Sequence, residues 1–177
     1  MSHSRYNLVT NDMQSKDYYF IPFNQLITDI PSDVINLFMY CYGNSINRVA
    51  FPRSFSQLKS IVIGQHCFVN VCRFVIDDLP NLESMTIGAE CFTVKNNISS
   101  DDDGEEEEEL KDMETEKRKQ YNGICRITNC PSLRQLEIGY VSYGNFKLFE
   151  LSNLNSLQSI EFGDNCCVHA DLLLKGE

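Results

Sequence analysis

One phrase occurs four times in this chain, and it constrains the fold more than any other feature of the sequence. The copies read LKSIVIGQHCF from Leu58, LESMTIGAECF from Leu82, LRQLEIGYVSY from Leu133 and LQSIEFGDNCC from Leu157. The first two copies begin 24 residues apart, and so do the last two. Repeats of this length are typical of solenoids, in which each copy forms one layer of a stack.

Each copy has apolar residues at its first, fourth and sixth positions, and a glycine follows. In the first copy these residues are Leu58, Ile61, Ile63 and Gly64. An apolar period of two is typical of a strand that buries one face. We expect the glycine to end this strand at a turn, where a side chain would often be strained.

A second alternating run begins about ten residues after each glycine. It comprises residues 74–76, 125–127 and 149–151 in the first three repeats, and a corner rich in Asp, Asn and Ser follows each run. One repeat cannot fold alone, because ordering each residue costs roughly 1–2 kcal/mol of backbone entropy. We therefore predict a mainly β solenoid, in which 24-residue repeats of strand, turn, short strand and turn stack into parallel sheets.

The repeats divide the chain into segments. Residues 1–20 are predicted to be a loose tail, and residues 21–57 a degenerate N-terminal repeat that acts as a cap. The segment 18–30 is apolar enough to cover the first coil. The repeats themselves are assigned to residues 58–81, 82–132, 133–156 and 157–177.

The degenerate repeat rests on the same 24-residue offset. Val34, Leu37 and Met39 lie 24 residues before Leu58, Ile61 and Ile63, and residues 50–55 lie 24 before 74–79. A short helix through residues 32–40, with Ser32 as its N-cap, is the competing interpretation. In the last repeat, Leu172 and Leu174 mark the second strand with a slip of one residue.

An acidic insertion interrupts the second repeat. Gly88 and Gly139 are 51 residues apart, and the additional residues run from about 95 to 121. Residues 101–119 include eleven acidic and four basic side chains. Such a low-complexity segment has too little apolar surface to order itself, so we predict that it is disordered or partly helical. Any helix would lie within 105–120, where acidic and basic residues recur four apart.

Composition limits the classes of partner. Most of the net charge of −10 lies in the insertion, and no basic stripe is present, so we expect no nucleic-acid partner. The apolar runs are too short to span a bilayer, and the N-terminus lacks the pattern of a signal peptide. We therefore expect a cytoplasmic protein that has no membrane partner.

Five of the eight cysteines occupy defined positions of the repeat. Cys67, Cys91 and Cys166 occupy equivalent positions, whereas Cys125 takes the place of a phenylalanine and Cys130 that of a leucine. Cysteine that alternates with large apolar residues behaves as a small buried hydrophobe. In a reducing compartment these thiols would stay reduced.

The sequence contains little that indicates catalysis. It has no CxxC pair, glycine-rich phosphate loop or nucleophile elbow. We therefore predict that the protein is not an enzyme and has no cofactor or metal. The alternative is an enzyme or metal site that uses Cys166, Cys167 and His169, and His66, Cys67 and Cys72 form a second group with related spacing.

The pattern LxxLxIxxxCF at a 24-residue period resembles the leucine-rich repeat, over most of residues 34–177. The resemblance is to the irregular, surface-antigen-like (BspA-like) variety found in microbial eukaryotes and bacteria. The usual asparagine at the ninth position, whose amide bonds the backbone turn, is matched only by Asn165; His66, Glu90 and Val141 stand there in the other copies. The resemblance implies that the first sheet binds proteins.

We therefore expect a non-enzymatic scaffold that binds a protein of unknown identity on the solvent face of the first sheet. The first row of this face holds Ser60, Ser84, Gln135 and Ser159. The second row holds Val62, Thr86, Glu137 and Glu161, and a third holds Lys59, Glu83, Arg134 and Gln158. These rows lack aromatic residues and paired arginines, and an ordinary solvated sheet face is the other interpretation.

A second hypothesis is structural. If the last coil is uncapped, it exposes a strand edge and apolar residues that include Leu172 and Leu174. The chain would then be a module, or part of a longer repeat array, that associates through this C-terminal edge.

Overall fold

The computed structural model describes residues 18–21, 27–40, 48–93, 123–144 and 146–176. These residues form strands and one short 3-10 helix, Ile27–Asp29, and include no α-helix. The strands are β1 (Tyr18–Ile21), β2 (Asn36–Met39), β3 (Arg48–Ala50), β4 (Ser60–Ile63), β5 (Arg73–Asp77), β6 (Ser84–Ile87), β7 (Gly123–Thr128), β8 (Gln135–Ile138), β9 (Phe146–Ser152), β10 (Ser159–Phe162) and β11 (Asp171–Lys175).

Two parallel sheets carry the fold. The first sheet has the order β1-β2-β4-β6-β8-β10, and the second has the order β11-β9-β7-β5-β3. From β2 onward, successive strands alternate between the sheets, so each repeat gives one strand to each. The predicted β-solenoid of stacked repeats about 24 residues apart is confirmed.

The terminal and inserted segments are only partly described. β1 begins at Tyr18, inside the range 1–20 that the sequence assigns to a tail, and adds a strand beside β2. Residues 1–17 and the predicted insertion at 95–121 lie outside the described residues.

The degenerate repeat forms a strand and not a helix. β2 places Leu37 opposite Ile61 and Met39 opposite Ile63, as the 24-residue offset predicts. The competing helix through 32–40 is therefore wrong. Leu37 and Met39 alternate with less buried residues, and β1 and β4 supply backbone partners on both sides.

The register of β3 differs from the prediction by one residue. Val49, and not Ala50, lies opposite Phe74, so Val49 is buried and Ala50 is exposed. The additional residue is accommodated before Phe55, whose carbonyl accepts the Leu58 N–H at 3.2 Å and so ends the corner. At the other end, the predicted slip is confirmed, because Leu172 pairs with Phe149, 23 residues earlier.

Aromatic side chains stack through the core from one repeat to the next. The ring of Phe92 is stacked 5.3 Å from that of Phe68 and 4.4 Å from that of Tyr143. Phe74 meets Phe92 edge to face at 4.8 Å. This column follows from the repeat, because equivalent positions carry Phe, Phe and Tyr.

The first corner, which joins a first-sheet strand to the next second-sheet strand, depends on left-handed residues. At the ninth position, His66, Glu90, Val141 and Asn165 have φ between 55° and 57°. Two positions later, Phe68, Phe92, Tyr143 and Cys167 have φ between 51° and 57°. This conformation costs non-glycine residues roughly 1–2 kcal/mol each.

Hydrogen bonds between repeats accompany this unusual backbone. The Glu90 N–H donates to the Tyr140 carbonyl of the next repeat at 2.9 Å. The Phe92 N–H donates to the Cys67 carbonyl of the preceding repeat at 3.1 Å. The ladder of backbone hydrogen bonds therefore continues through the corner.

A side-chain amide ladder lies at the second corner, which joins each second-sheet strand to the next repeat. Asn153 Nδ2 donates to Asn129 Oδ1 at 2.8 Å, and Asn129 Nδ2 donates to Asp77 Oδ1 at 2.8 Å. Asp78, Asn129 and Asn153 also have positive φ, which Asp and Asn tolerate better than most residues. The amide ladder and the positive φ angles thus explain why the sequence is rich in Asp and Asn at this corner.

The strand-ending glycines are required by close stacking. The φ angles of Gly88, Gly139 and Gly163 lie outside the left-handed region, so the expectation of turn strain is wrong. A Cβ on Gly88 would lie 2.7 Å from the Gly64 carbonyl carbon, and one on Gly139 would lie 2.5 Å from the Ala89 nitrogen. Each glycine therefore lets the backbones of two repeats approach.

We expect Gly88→Ala to lower the free energy of unfolding by about 2–3 kcal/mol, because the atoms that the new methyl group meets are backbone. Urea denaturation measures the change. Gly144→Ala is the matched control, because a Cβ there meets no atom within 4 Å. An equal decrease in the free energy of unfolding in the two variants would contradict the explanation that glycine allows close stacking of the repeats.

Candidate functional site

The eight predicted binding residues lie on one face of the first sheet. The register aligns Ser60, Ser84, Gln135 and Ser159 across β4, β6, β8 and β10. It likewise aligns Val62, Thr86, Glu137 and Glu161. The intervening residues Ile61, Met85 and Leu136 are buried, so the two rows face away from the core.

Polar contacts run along the rows from repeat to repeat. The Thr86 hydroxyl lies 3.4 Å from Glu137 Oε2, to which it can donate. In the third row, Lys59 Nζ lies 3.7 Å from Glu83 Oε1. Both contacts are exposed, so they add little stability.

The second row ends in two glutamates on neighbouring strands. Glu137 and Glu161 are exposed and lie opposite each other on neighbouring strands. Like charges in this arrangement destabilise a sheet. Among the described residues, no lysine or arginine forms an ion pair with either of them. The acidic end of this row is therefore electrostatically uncompensated within the described structure.

The face extends further than the predicted rows. Asn36 lies opposite Ser60, with 2.6 Å between its Oδ1 and the Ser60 hydroxyl, and Phe38 lies opposite Val62. Phe38 is half-buried and adds an aromatic side chain to a row that was expected to have none. The 24-residue offset that identified Leu37 and Met39 would also have found Asn36 and Phe38.

Cys166, Cys167 and His169, the alternative site suggested by the sequence, differ in their exposure. None of the seven described cysteines forms a disulfide. Cys166 and Cys167 are half-buried, whereas His169 is exposed. Within the described ranges, no three or more His, Cys, Asp or Glu side chains are grouped so that they could hold a metal ion.

In the second, third and fourth copies of the repeated phrase, the side chain at the tenth position instead donates a hydrogen bond to the glycine carbonyl of the preceding repeat. Cys91 Sγ donates to the Gly64 carbonyl at 3.0 Å, and Ser142 Oγ donates to the Gly88 carbonyl at 3.0 Å. Cys166 makes the same contact with Gly139 at 2.6 Å. Serine and cysteine alternate here because both supply a small donor.

The buried thiols are held in their protonated form. The hydrogen bond with Cys67, together with burial, raises the pKa of the Cys91 thiol. Burial raises the pKa of Cys130 to about 11 and places that of Cys125 well above its ordinary value. A thiolate is the reactive form of cysteine, so these three residues have a structural role.

These pKa values predict that the protein loses stability in alkali. Unfolded thiols release protons above about pH 9, near the ordinary value of 9.0, whereas folded Cys91, Cys125 and Cys130 keep theirs. The unfolded state then binds fewer protons, so the free energy of unfolding falls by up to about 1.4 kcal/mol per pH unit for each group.

Urea titrations at several pH values between 7 and 11 measure this slope in the wild type and in Cys125→Ala. We expect the variant to be less stable at pH 7 but to have a shallower slope above pH 9, because one buried titrating group is gone. The slope is compared, so the cavity left by the substitution does not affect the conclusion. Identical slopes of stability against pH in the wild type and the variant would contradict a raised pKa for the Cys125 thiol.

Comparison with protein families, with curated proteins and with solved structures finds no match for this chain. In the described part of the chain, no helix has the length and apolar character needed to cross a bilayer.

Proposed function

We propose that this protein is a non-enzymatic scaffold that binds a partner protein on the solvent face of the first sheet. The observation that carries the proposal is the continuous row Phe38, Val62, Thr86, Glu137 and Glu161, which is held in register across five strands. Its side chains change from apolar through hydroxyl to acidic. A partner that offers apolar groups at one end and lysine or arginine at the other would fit it.

Three features support this proposal. The face is built on strands and not on loops, so its side chains are positioned before binding and little entropy is lost on association. Glu137 and Glu161 have no cationic partner among the described residues, so a basic group would relieve their mutual repulsion. The repeat also resembles the leucine-rich repeat, whose first sheet binds proteins, and we include membership of that group in the proposal. In this proposal the protein works in the cytoplasm and contacts neither nucleic acid nor membrane.

Affinity capture from a cytosolic extract tests the proposal with three forms of the chain. We expect the wild type to retain a protein that Glu137→Lys/Glu161→Lys does not retain. Asp33→Lys/Asp164→Lys is the matched control, because it makes the same charge change at exposed positions outside the strands. Circular dichroism verifies that all three forms are folded. Equal capture by the three forms would contradict binding at this face.

Self-association is the second candidate function, and the exposure of the last described coil favours it. Leu172 and Leu174 are 51% and 59% exposed, and Phe162 and Val168 are also exposed. β10 and β11 are edge strands of their sheets. Such an edge can pair with another copy or with further repeats.

Light scattering across a range of concentrations separates the two functions. Self-association predicts a mass that rises with concentration in the wild type and stays constant in Leu172→Glu/Leu174→Glu. A wild type that remains monomeric at high concentration would contradict self-association and leave the first proposal intact.

A further inference from the structure

Two arginines of the second sheet lie side by side on its outward face. Arg48 begins β3 and Arg73 begins β5, and the parallel register places them opposite each other. Neighbouring strands are about 4.8 Å apart, so the two side chains leave the sheet from adjacent points. Both arginines are exposed. Their mutual repulsion destabilises the sheet unless an anion lies between or over them.

Other cations near this face have acidic partners. Arg126 Nε lies 2.9 Å from Glu150 Oε2, and Lys175 Nζ lies 3.1 Å from Glu150 Oε1. Arg53 lies 2.7 Å from Asp77. Among the described residues, no carboxylate forms an ion pair with Arg48 or Arg73.

A third unpaired cation lies further along the same sheet. Gly123 pairs with Phe146 and Ile124 pairs with Leu148, so Lys147 is an additional residue in β9. Lys147 is exposed, and no carboxylate among the described residues pairs with it. Beyond Leu148 the register continues to Asp171 of β11, which is also exposed. The arginine end of the row is therefore purely cationic, whereas the other end has one lysine and one carboxylate beside it.

Aliphatic side chains continue the row that the arginines begin. The register runs from Arg48 through Arg73 and Ile124 to Leu148. Ile124 and Leu148 are half-buried although they lie on the solvent side of the sheet, and so is Val75 in the neighbouring row. The four side chains of the row span about 14 Å at the spacing of neighbouring strands. This row combines two cations with an adjoining apolar strip.

We propose that the row Arg48, Arg73, Ile124 and Leu148 binds an acidic, partly apolar segment of a partner protein. Carboxylates of the segment bind the two guanidinium groups, which can each accept a bidentate carboxylate. Apolar side chains of the segment cover Ile124 and Leu148 and remove their exposed area from water. Arginine beside apolar area is a common energetic anchor of protein interfaces.

The chemistry of the row favours a peptide over a nucleic acid. Its neutral half is aliphatic and offers no aromatic ring on which a base could stack. The proposal concerns the second sheet only, so it stands or fails separately from binding at the first sheet.

The test uses a fluorescein-labelled peptide of four glutamates followed by two leucines, and fluorescence anisotropy at low salt measures its Kd. A second peptide with glutamine in place of glutamate controls for charge, and a third with serine in place of leucine controls for the apolar part. We expect the wild type to bind the first peptide more tightly than either control. Added sodium chloride should weaken binding, because the arginines are exposed.

Two variants with the same change in net charge locate the binding surface. Arg48→Gln/Arg73→Gln should raise the Kd of the first peptide by about tenfold or more, as loss of charge-assisted contacts predicts. Lys59→Gln/Arg134→Gln removes two exposed cations that directly precede β4 and β8 of the first sheet, outside the second-sheet row, and should leave the Kd within about twofold. Thermal unfolding verifies that both variants are folded.

Three results would overturn the proposal. The first is an equal loss of affinity in the two variants, which would show non-specific attraction to positive charge. The second is no binding of the glutamate peptide either by the wild type or by a variant in which the acidic residues of 101–109 are replaced by serine. The third is binding only after the acidic residues of 101–109 are replaced by serine, because the chain's own acidic segment would then be the occupant.

Discussion

Backbone hydrogen bonds between successive repeats position every other feature of this solenoid. They join the strands within each sheet, and they continue through both corners. The His66 N–H donates to the Ala89 carbonyl at 2.9 Å, and the Asn129 N–H donates to the Ser152 carbonyl at 3.1 Å. Glycine directly after β6, β8 and β10 lets the repeats approach closely enough to make these bonds. Left-handed residues turn the corner N–H groups towards the neighbouring repeat.

The same hydrogen bonds force equivalent side chains into rows. Inside the solenoid this produces the stacked rings of Phe68, Phe92 and Tyr143, which bury one another. On the surface it places Glu137 beside Glu161 and Arg48 beside Arg73, although each pair repels. Neither pair can separate without breaking the register. A binding partner of opposite charge therefore meets groups that are already positioned, and this is why both proposed surfaces lie on strands.

Much of the fold was predictable because the apolar period of two is preserved at a constant offset. That offset placed β2, aligned the eight residues of the first-sheet face and located the slip at Leu172. It failed at β3, where one additional residue precedes Phe55 and no apolar pattern marks it. The 24-residue offset would have set Arg48 opposite Cys72, so the sequence did not predict that Arg48 and Arg73 are neighbours. The sequence also could not show why glycine is needed after the strands, because the close backbone contacts that require it join repeats that are distant in sequence.

Amide hydrogen exchange at the corners tests the central claim most directly. The amides of Glu90, Phe92 and Tyr143 donate to neighbouring repeats, so we expect them to exchange as slowly as Met85 in the middle of the first sheet. NMR of the folded protein resolves these amides individually. Slow exchange at all three corner positions would show that the hydrogen bonds between repeats continue around the coil. Exchange at the rate of an unstructured loop would contradict this account, because the repeats would then be joined through their sheets alone.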